Sequence, residues 1–357
     1  MRIAFFGSSL VSAYWNGAAT YYRGLLKAMA ARGHRITFFE PDAFGRQQHR
    51  DMADPDWATV RVYPATGEGY RAALREAWEM EPTLLVKASG VGVFDRELEI
   101  AIATEVNSSA LRIFWDVDAP ATLASIQADR TSHMRHLLPS FDMVLTYGGG
   151  DPVIRAYRRL GARACVPIYN ALDRQTHYPV TPEPAFECDL AFLGNRLPDR
   201  EARVKEFFFK AANLLPGRRF LLGGAGWDDY PLPPNVRWVG HVYTRDHNAF
   251  NSTPLSVLNI NRASMADYGF SPPTRIFEAA GAGACLISDA WEGLDRFLAP
   301  GREVLVAKSG EDVAAFLSGL DTEAARSIGQ AARQAVLKDH TYDRRAEQLD
   351  ALFRVDA

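Results

Sequence analysis

Cysteine is scarce. The chain of 357 residues has three, Cys165, Cys188 and Cys285, scattered and odd in number. That excludes a disulfide framework and a paired-cysteine zinc pattern, and it fits a reducing, cytoplasmic setting. No apolar run reaches the ~20 residues that a bilayer-spanning helix needs. The opening Met1-Arg2-Ile3-Ala4-Phe5-Phe6-Gly7 is too short in its apolar part for a secretory signal and reads as a first strand. There is no basic run of five or more residues and the net charge is −3, so nucleic acid is not the expected partner.

Several catalytic signatures are missing as well. After the first strand the chain reads Phe6-Gly7-Ser8-Ser9-Leu10-Val11-Ser12, without the second and third glycines of G-x-G-x-x-G. A nicotinamide dehydrogenase is therefore not expected, although Glu40 after the second strand has the place of a ribose acid. No G-x-x-x-x-G-K-[ST], G-x-S-x-G or H-E-x-x-H occurs, which removes P-loop kinases, α/β-hydrolases and zincin-type proteases. His133 and His136, three apart on a helical stretch, read as a solvated or hydrogen-bonded pair rather than metal ligands.

What is present is alternation. The first half predicts strands at 2–6, 36–39, 83–86, 111–115 and 143–146, with helices at 18–32, 70–80, 97–108 and 152–160 between them. A proline-rich stretch, 176–186, reads as a linker. A second series follows, with strands near 189–193, 219–223, 236–239, 255–260, 284–288 and 304–306, and closing helices at 311–318, 324–339 and 343–354. Such a chain folds as two open parallel α/β domains, whose ligands sit beyond the carboxyl ends of strands. The expected division is 1–172, 173–340 and a final helical segment 341–357.

The most informative stretch runs from Ser271-Pro272-Pro273-Thr274-Arg275 through Glu278 to Asp289. It reads as a loop, a helix capped by Ser271, and a buried strand. A helix start offers free amides and a positive dipole to an anion, here at Thr274 and Arg275. Arg275 adds a guanidinium fork suited to phosphate. Glu278 shares their face and suits a sugar's hydroxyls, so it is assigned to a ribose. An ordinary capped helix with an internal Arg–Glu pair is the competing reading.

Three more stretches bear on chemistry. At Leu193-Gly194-Asn195-Arg196, Gly194 admits a ligand to the backbone, and Arg196 and Arg200 are placed to clamp a diphosphate, with Arg200 the weaker candidate. Gly240, His241 and Val242 follow a strand, where backbone groups can read a nucleobase edge; a plain half-exposed loop is the alternative. Trp115-Asp116-Val117-Asp118 ends a strand with two carboxylates, either of which can act as general base, Asp118 being favoured. Asp118 can equally cap the next helix. Ser8, Ser9, Asn16 and Gly17 form a loop on the acceptor side or a simple connector.

Together these residues resemble the CgeB-like (spore maturation protein CgeB) branch of GT-B glycosyltransferases, akin to glycosyltransferases of group 1. The resemblance spans Trp115–Asp118, Asp189–Arg200, Asn235–Gly240 and Asn259–Arg262. It is strongest from Thr274 to Ala280, and through Gly293-Leu294, Pro300-Gly301-Arg302-Glu303-Val304 and His340-Thr341-Tyr342. It implies a GT-B fold of two Rossmann-like domains facing across a cleft, with a last helix returning to the first domain. It also implies a nucleotide-sugar donor on the C-terminal domain and no metal or other cofactor, the leaving diphosphate being met by helix amides and basic side chains. Asn195, Arg196, Arg200, Gly240–Val242, Ser271, Thr274, Arg275 and Glu278 are then the donor residues.

One departure stands out. Many group 1 enzymes carry two glutamates with seven residues between them; Glu278 matches the second, but Phe270, eight positions earlier, stands where the first belongs, with Asp267 nearby. A retaining mechanism is thus not implied, and an inverting one with Asp118 or Asp116 as base stays open. The expected activity is hexosyl transfer to an acceptor hydroxyl on a glycan, a protein or a small molecule. The alternatives are a non-catalytic nucleotide-binding partner or scaffold of the same fold, and a nucleotide-sugar epimerase.

Overall fold

The computed structural model describes residues 1–14, 16–104 and 109–355. Contacts divide the chain into two compact units, Met1–Tyr169 with Tyr342–Ala357, and Asn170–Thr341. Each is a parallel sheet with helices, a Rossmann-like α/β arrangement.

The first unit runs β1 (Arg2–Phe6), α1 (Ala19–Ala31), β2 (Arg35–Asp42), β3 (Thr59–Pro64), α2 (Gly67–Glu79), β4 (Leu84–Ala88), α3 (Asp95–Thr104), β5 (Leu111–Asp116), α4 (Ala119–Ala128), α5 (Met134–Leu137), β6 (Met143–Thr146), α6 (Gly150–Arg159) and β7 (Cys165–Pro167). Residues 105–108 of the expected third helix lie outside the described residues. The strand order is β3-β2-β1-β4-β5-β6-β7, all parallel. The order reverses between β1 and β4, so the loops after those strands flank the switch point where open sheets take ligands. Phe5, Phe38 and Tyr22 pack ring on ring at the centre, with centroids 5.2–5.6 Å apart, and such pairs add to the burial of apolar area.

The second unit runs β8 (Leu190–Leu193), α7 (Pro198–Val204), α8 (Lys210–Leu214), β9 (Phe220–Gly223), β10 (Val236–Trp238), α9 (His247–Ser252), β11 (Ser256–Asn259), α10 (Ala263–Tyr268), α11 (Thr274–Gly281), β12 (Leu286–Asp289), β13 (Leu305–Ala307), α12 (Gly310–Gly319) and α13 (Thr322–Asp339). Its order is β10-β9-β8-β11-β12-β13, again parallel, with the switch between β8 and β11. A π turn, Lys205–Phe209, joins α7 to α8. The wider turn lets three consecutive phenylalanines, Phe207, Phe208 and Phe209, all reach the core.

The proline-rich stretch is not a free linker. Tyr178, Val180 and Glu183 donate backbone N–H bonds to Asn248, Ser252 and Thr253, which ties the segment along the second unit. Residues 170–172 belong there too, since Leu172 N–H bonds the His340 carbonyl and Leu172 pairs with Thr341. The break between units therefore falls at 169/170 rather than 172/173.

The last helix, α14 (Tyr342–Val355), packs on α1 of the first unit. Gly24 makes this possible, because a Cβ there would stand 2.2 Å from the Tyr342 ring. Asp350 accepts hydrogen bonds from Arg32 Nε at 2.5 Å and from His34 Nε2 at 2.6 Å. Burial pushes its carboxyl up, but those two hydrogen bonds outweigh it and hold the group below its ordinary value. The folded chain thus binds this proton less readily than the unfolded one. The resulting stability is complete above the unfolded carboxylate value of about 3.9 and is lost as pH falls through the folded value. Asp350→Asn should be less stable than the parent at pH 7, and urea midpoints should show that gap closing as pH drops from about 5 towards 3.

The three cysteines are free and buried, and burial pushes each thiol up to about 12. Among the described residues, no helix is long and apolar enough to cross a membrane.

Candidate functional site

In the second unit the loops after β8, β9 and β11 meet at the switch point. The loop after β9 comes very close to the loop after β8. Gly224 has φ +117°, and a Cβ there would stand 2.3 Å from the Gly194 carbonyl oxygen. Only glycine fits that position. Asn195 Oδ1 accepts from the Ala225 N–H at 3.0 Å, and Trp227 Nε1 donates to the Gly194 carbonyl at 2.8 Å.

The two arginines of this loop have opposite fates. Arg196 donates from Nε to Glu201 Oε2 at 2.7 Å and from Nη1 to Asp229 Oδ1 at 2.8 Å, with its guanidinium over the Tyr230 ring. Two carboxylates already answer its charge, so the expected diphosphate clamp is not supported at Arg196. Arg200 is the better candidate. Its Nε is buried without a hydrogen-bond partner. Its Nη1 lies where any side chain on Gly194 would meet it, at 3.1 Å. Burial, then repulsion from Arg275 and Arg262, pushes Arg200 down to about 10.

Arg275 is the second residue of α11, whose first residue is Thr274 and whose N-cap is Pro273. Ser271 does not cap this helix: its hydroxyl donates to the Gly269 carbonyl at 3.0 Å. The amides of the first turn are thus left without a side-chain cap. Burial lowers the Arg275 guanidinium from its ordinary value and the Glu278 carboxylate pulls it back. Among the described residues no ion pair or hydrogen bond reaches the guanidinium of Arg200 or Arg275. Arg200 and Arg275 are thus two neighbouring cations, both held down by burial. Arg262 differs, since its Nε donates to Asp199 Oδ2 at 3.0 Å.

Glu278 is half-buried on α11 and lies against His177 and His247. Gly240 and Val242, expected at the nucleobase, have their carbonyls engaged by Gly224 N–H and by His247 Nε2. His241 is exposed and stands edge-on to Tyr243.

The sequence reading missed Asn261. It is 1% exposed, its N–H donates to Asp289 Oδ2 at 3.0 Å, and both amide atoms of its side chain are buried without partners. Native structures leave few such groups unmet. Asp289 itself is saturated by Arg203, Asn259 and Asn261 and serves to hold the loop. Phe270 is buried with φ +46°, its N–H on the Glu292 carbonyl and its ring under Arg296 at 4.5 Å. A phenylalanine in the left-handed region is strained by about 1–3 kcal/mol, which functional loops tolerate.

In the first unit the two acids part company. Asp116 is fully buried. Its Oδ1 accepts from Ser89, Thr122 and the Asp118 N–H, and its Oδ2 from Tyr157. Such a carboxylate has no room for an acceptor's proton, so it does not fit the role of base. Asp118 is half-buried at the N-cap of α4 and makes no side-chain capping bond.

The acceptor-loop residues are also mostly committed. Ser8 donates to Asn16 Oδ1 and Asn16 donates to the carbonyls of Ser9 and Ser12. Ser9 donates to Glu40, which is fully buried and is a loop anchor rather than a ribose acid. These side chains build the loop, and only Gly17 of the four is exposed. His133 bonds Glu99 at 2.6 Å, which accounts for it without a metal.

Residues 200–351 match the glycosyl transferase-like family model. A search of curated proteins returns no match. Solved structures of similar fold include sucrose-phosphate synthase from Thermosynechococcus elongatus, at 18% identity and a TM-score of 0.72, covering 99% of this chain and 98% of that one. Anabaena Alr3699/HepE in complex with UDP and glucose is similar at 14% identity and 0.66, with 99% of each chain covered. The DNA-modifying enzyme β-glucosyltransferase, studied with and without uridine diphosphoglucose, is similar at 13% and 0.63, again with 99% of each. The fold is the GT-B fold these glycosyltransferases share.

Proposed function

We propose that this chain is a glycosyltransferase that moves a hexosyl group from a UDP-sugar to an acceptor hydroxyl. The observation that carries the reading is the pair Arg200 and Arg275, two neighbouring guanidiniums that no described carboxylate reaches by a hydrogen bond or ion pair, beside an uncapped helix start. A leaving diphosphate supplies the charge that the pair lacks, and no metal is needed to meet it. The match of residues 200–351 to glycosyl transferase-like sequences supports the activity. The uridine base is suggested by the UDP and UDP-sugar complexes of proteins of similar fold.

Glu278 takes the ribose hydroxyls, the Gly240–Val242 segment the base, and the Asn261 amide a hydroxyl of the sugar. Asp118 is the acceptor's base in this reading, and Asp116 a positioning residue that fixes the turn leading to it. Assignment to the CgeB-like branch rests on the ordered motifs from Trp115 to Tyr342. The acceptor is a glycan, a protein or a small molecule.

Thermal shifts with UDP, GDP, TDP and ADP test the donor site. UDP should raise the melting point most, by the equivalent of about 2.7 kcal/mol at a hundredfold excess over Kd. No shift with any of the four would remove the nucleotide site. A UDP-sugar panel then tests the activity, through slow release of UDP without acceptor.

Phe270, standing where group 1 enzymes carry a glutamate, favours a second reading, a nucleotide-binding partner protein. Binding with neither hydrolysis nor transfer would establish it, and an isomerised donor would point to an epimerase.

A further inference from the structure

His177, His247 and Glu278 come from three segments of the second unit: the stretch after Leu172, the start of α9 and the middle of α11. One ring nitrogen from each histidine and one carboxylate oxygen all lie within 4.8 Å of one another. His177 is 3% exposed, and neither of its ring nitrogens has a hydrogen-bond partner. Its Nε2 stands 3.8 Å from Glu278 Oε1, outside hydrogen-bond range. A hydrogen-bond network alone does not account for this cluster, because it leaves a deeply buried imidazole idle at both ends.

We propose that His177, His247 and Glu278 form a binding site for a transition-metal dication of the zinc class, with a water as fourth ligand. Two imidazoles and a carboxylate are a ligand set that suits this ion. Zinc bonds of about 2.0–2.2 Å place tetrahedral ligand atoms about 3.3 Å apart. His247 Nε2 lies 3.3 Å from the Val242 carbonyl oxygen. That nitrogen donates its proton to the carbonyl and leaves Nδ1 bare, the outer contact that commonly orients a ligating histidine. Arg275 is the nearby opposing charge, and the Glu278 carboxylate faces it as well. The transfer chemistry argued above does not use this ion, which competes with the donor's ribose for the Glu278 carboxylate.

The test is a Zn²⁺ titration of untagged, chelator-stripped protein against a chromogenic chelator, with no nucleotide present. One ion per chain is expected. His177→Ala and His247→Ala should each weaken it by more than the about 10–100-fold that loss of an outer partner brings. Co²⁺ in place of zinc should give the strong visible absorption of a four-coordinate site in the parent and lose it in both variants. Should either variant fail to fold, the Co²⁺ spectrum of the parent decides alone. No stoichiometric ion in the parent, a weak six-coordinate Co²⁺ spectrum, or full affinity in both folded variants would each overturn the site. Sugar transfer enters none of these readouts, so the metal site and the glycosyltransferase reading fail separately.

Discussion

Arg275→Ala should lower turnover of a UDP-sugar by about 10²–10³-fold, the range seen when one preorganised donor is taken from a developing negative charge. Folding should survive, because no hydrogen bond or ion pair to the guanidinium is lost and burial already disfavours its charge. Relief of the repulsion with Arg200 works in the same direction. The fall should appear in kcat more than in KM, since charge grows on the diphosphate only as the glycosidic bond breaks. Arg200→Ala should behave in the same way. Arg196→Ala should not: its guanidinium is spent on Glu201 and Asp229, so turnover should stay within a few-fold. Steady-state kinetics on the three variants, with circular dichroism to check folding, gives the answer. Near-normal turnover in Arg275→Ala, or a larger loss in Arg196→Ala than in Arg200→Ala, would remove the anion site as drawn.

That ranking of the two arginines shows how far the sequence carries. Both units, their parallel sheets and most strand positions were legible because buried central strands are short apolar runs between helical patterns. Edge strands were not. β3 reads Thr-Val-Arg-Val-Tyr-Pro and is mostly exposed, and β7 is three residues long, so neither leaves an apolar run. The π turn was invisible because three adjacent phenylalanines contradict a simple helical face. At the site, the helix start with Arg275 and Glu278 was readable from local spacing. The neutralisation of Arg196 was not, since Asp229 lies 33 positions away in sequence. Asn261 and His177 carry signals only in three dimensions: what marks them is burial without a partner. The proline-rich stretch misled for a related reason. Prolines mark irregular backbone, and irregular backbone can still be bound along a domain surface, as Tyr178 to Glu183 are.

The two aspartates of the first unit should separate cleanly, one in stability and the other in rate. Asp116→Ala should cost about 3 kcal/mol of stability. It strands the Tyr157 hydroxyl in the core, together with the Ser89 and Thr122 hydroxyls and the Asp118 N–H, and unmet buried donors cost about 1–3 kcal/mol each. Removing a desolvated charge offsets part of that sum. The offset has a sign in pH. Burial raises the Asp116 carboxyl above its ordinary value, against the pull of its four donors. The folded chain therefore holds this proton more tightly than the unfolded one. Its contribution is complete below the unfolded value of about 3.9 and is lost as pH rises through the folded value. The gap between the parent and Asp116→Ala should be widest at low pH and narrow towards neutrality, the reverse of Asp350→Asn. Asp118→Asn should lower transfer by about 10²–10⁴-fold if it removes the acceptor's base. Donor hydrolysis should fall less than transfer, because water does not need the same positioning as the acceptor. A stable Asp116→Ala protein that has lost only its activity would reverse the two roles and make Asp116 the base.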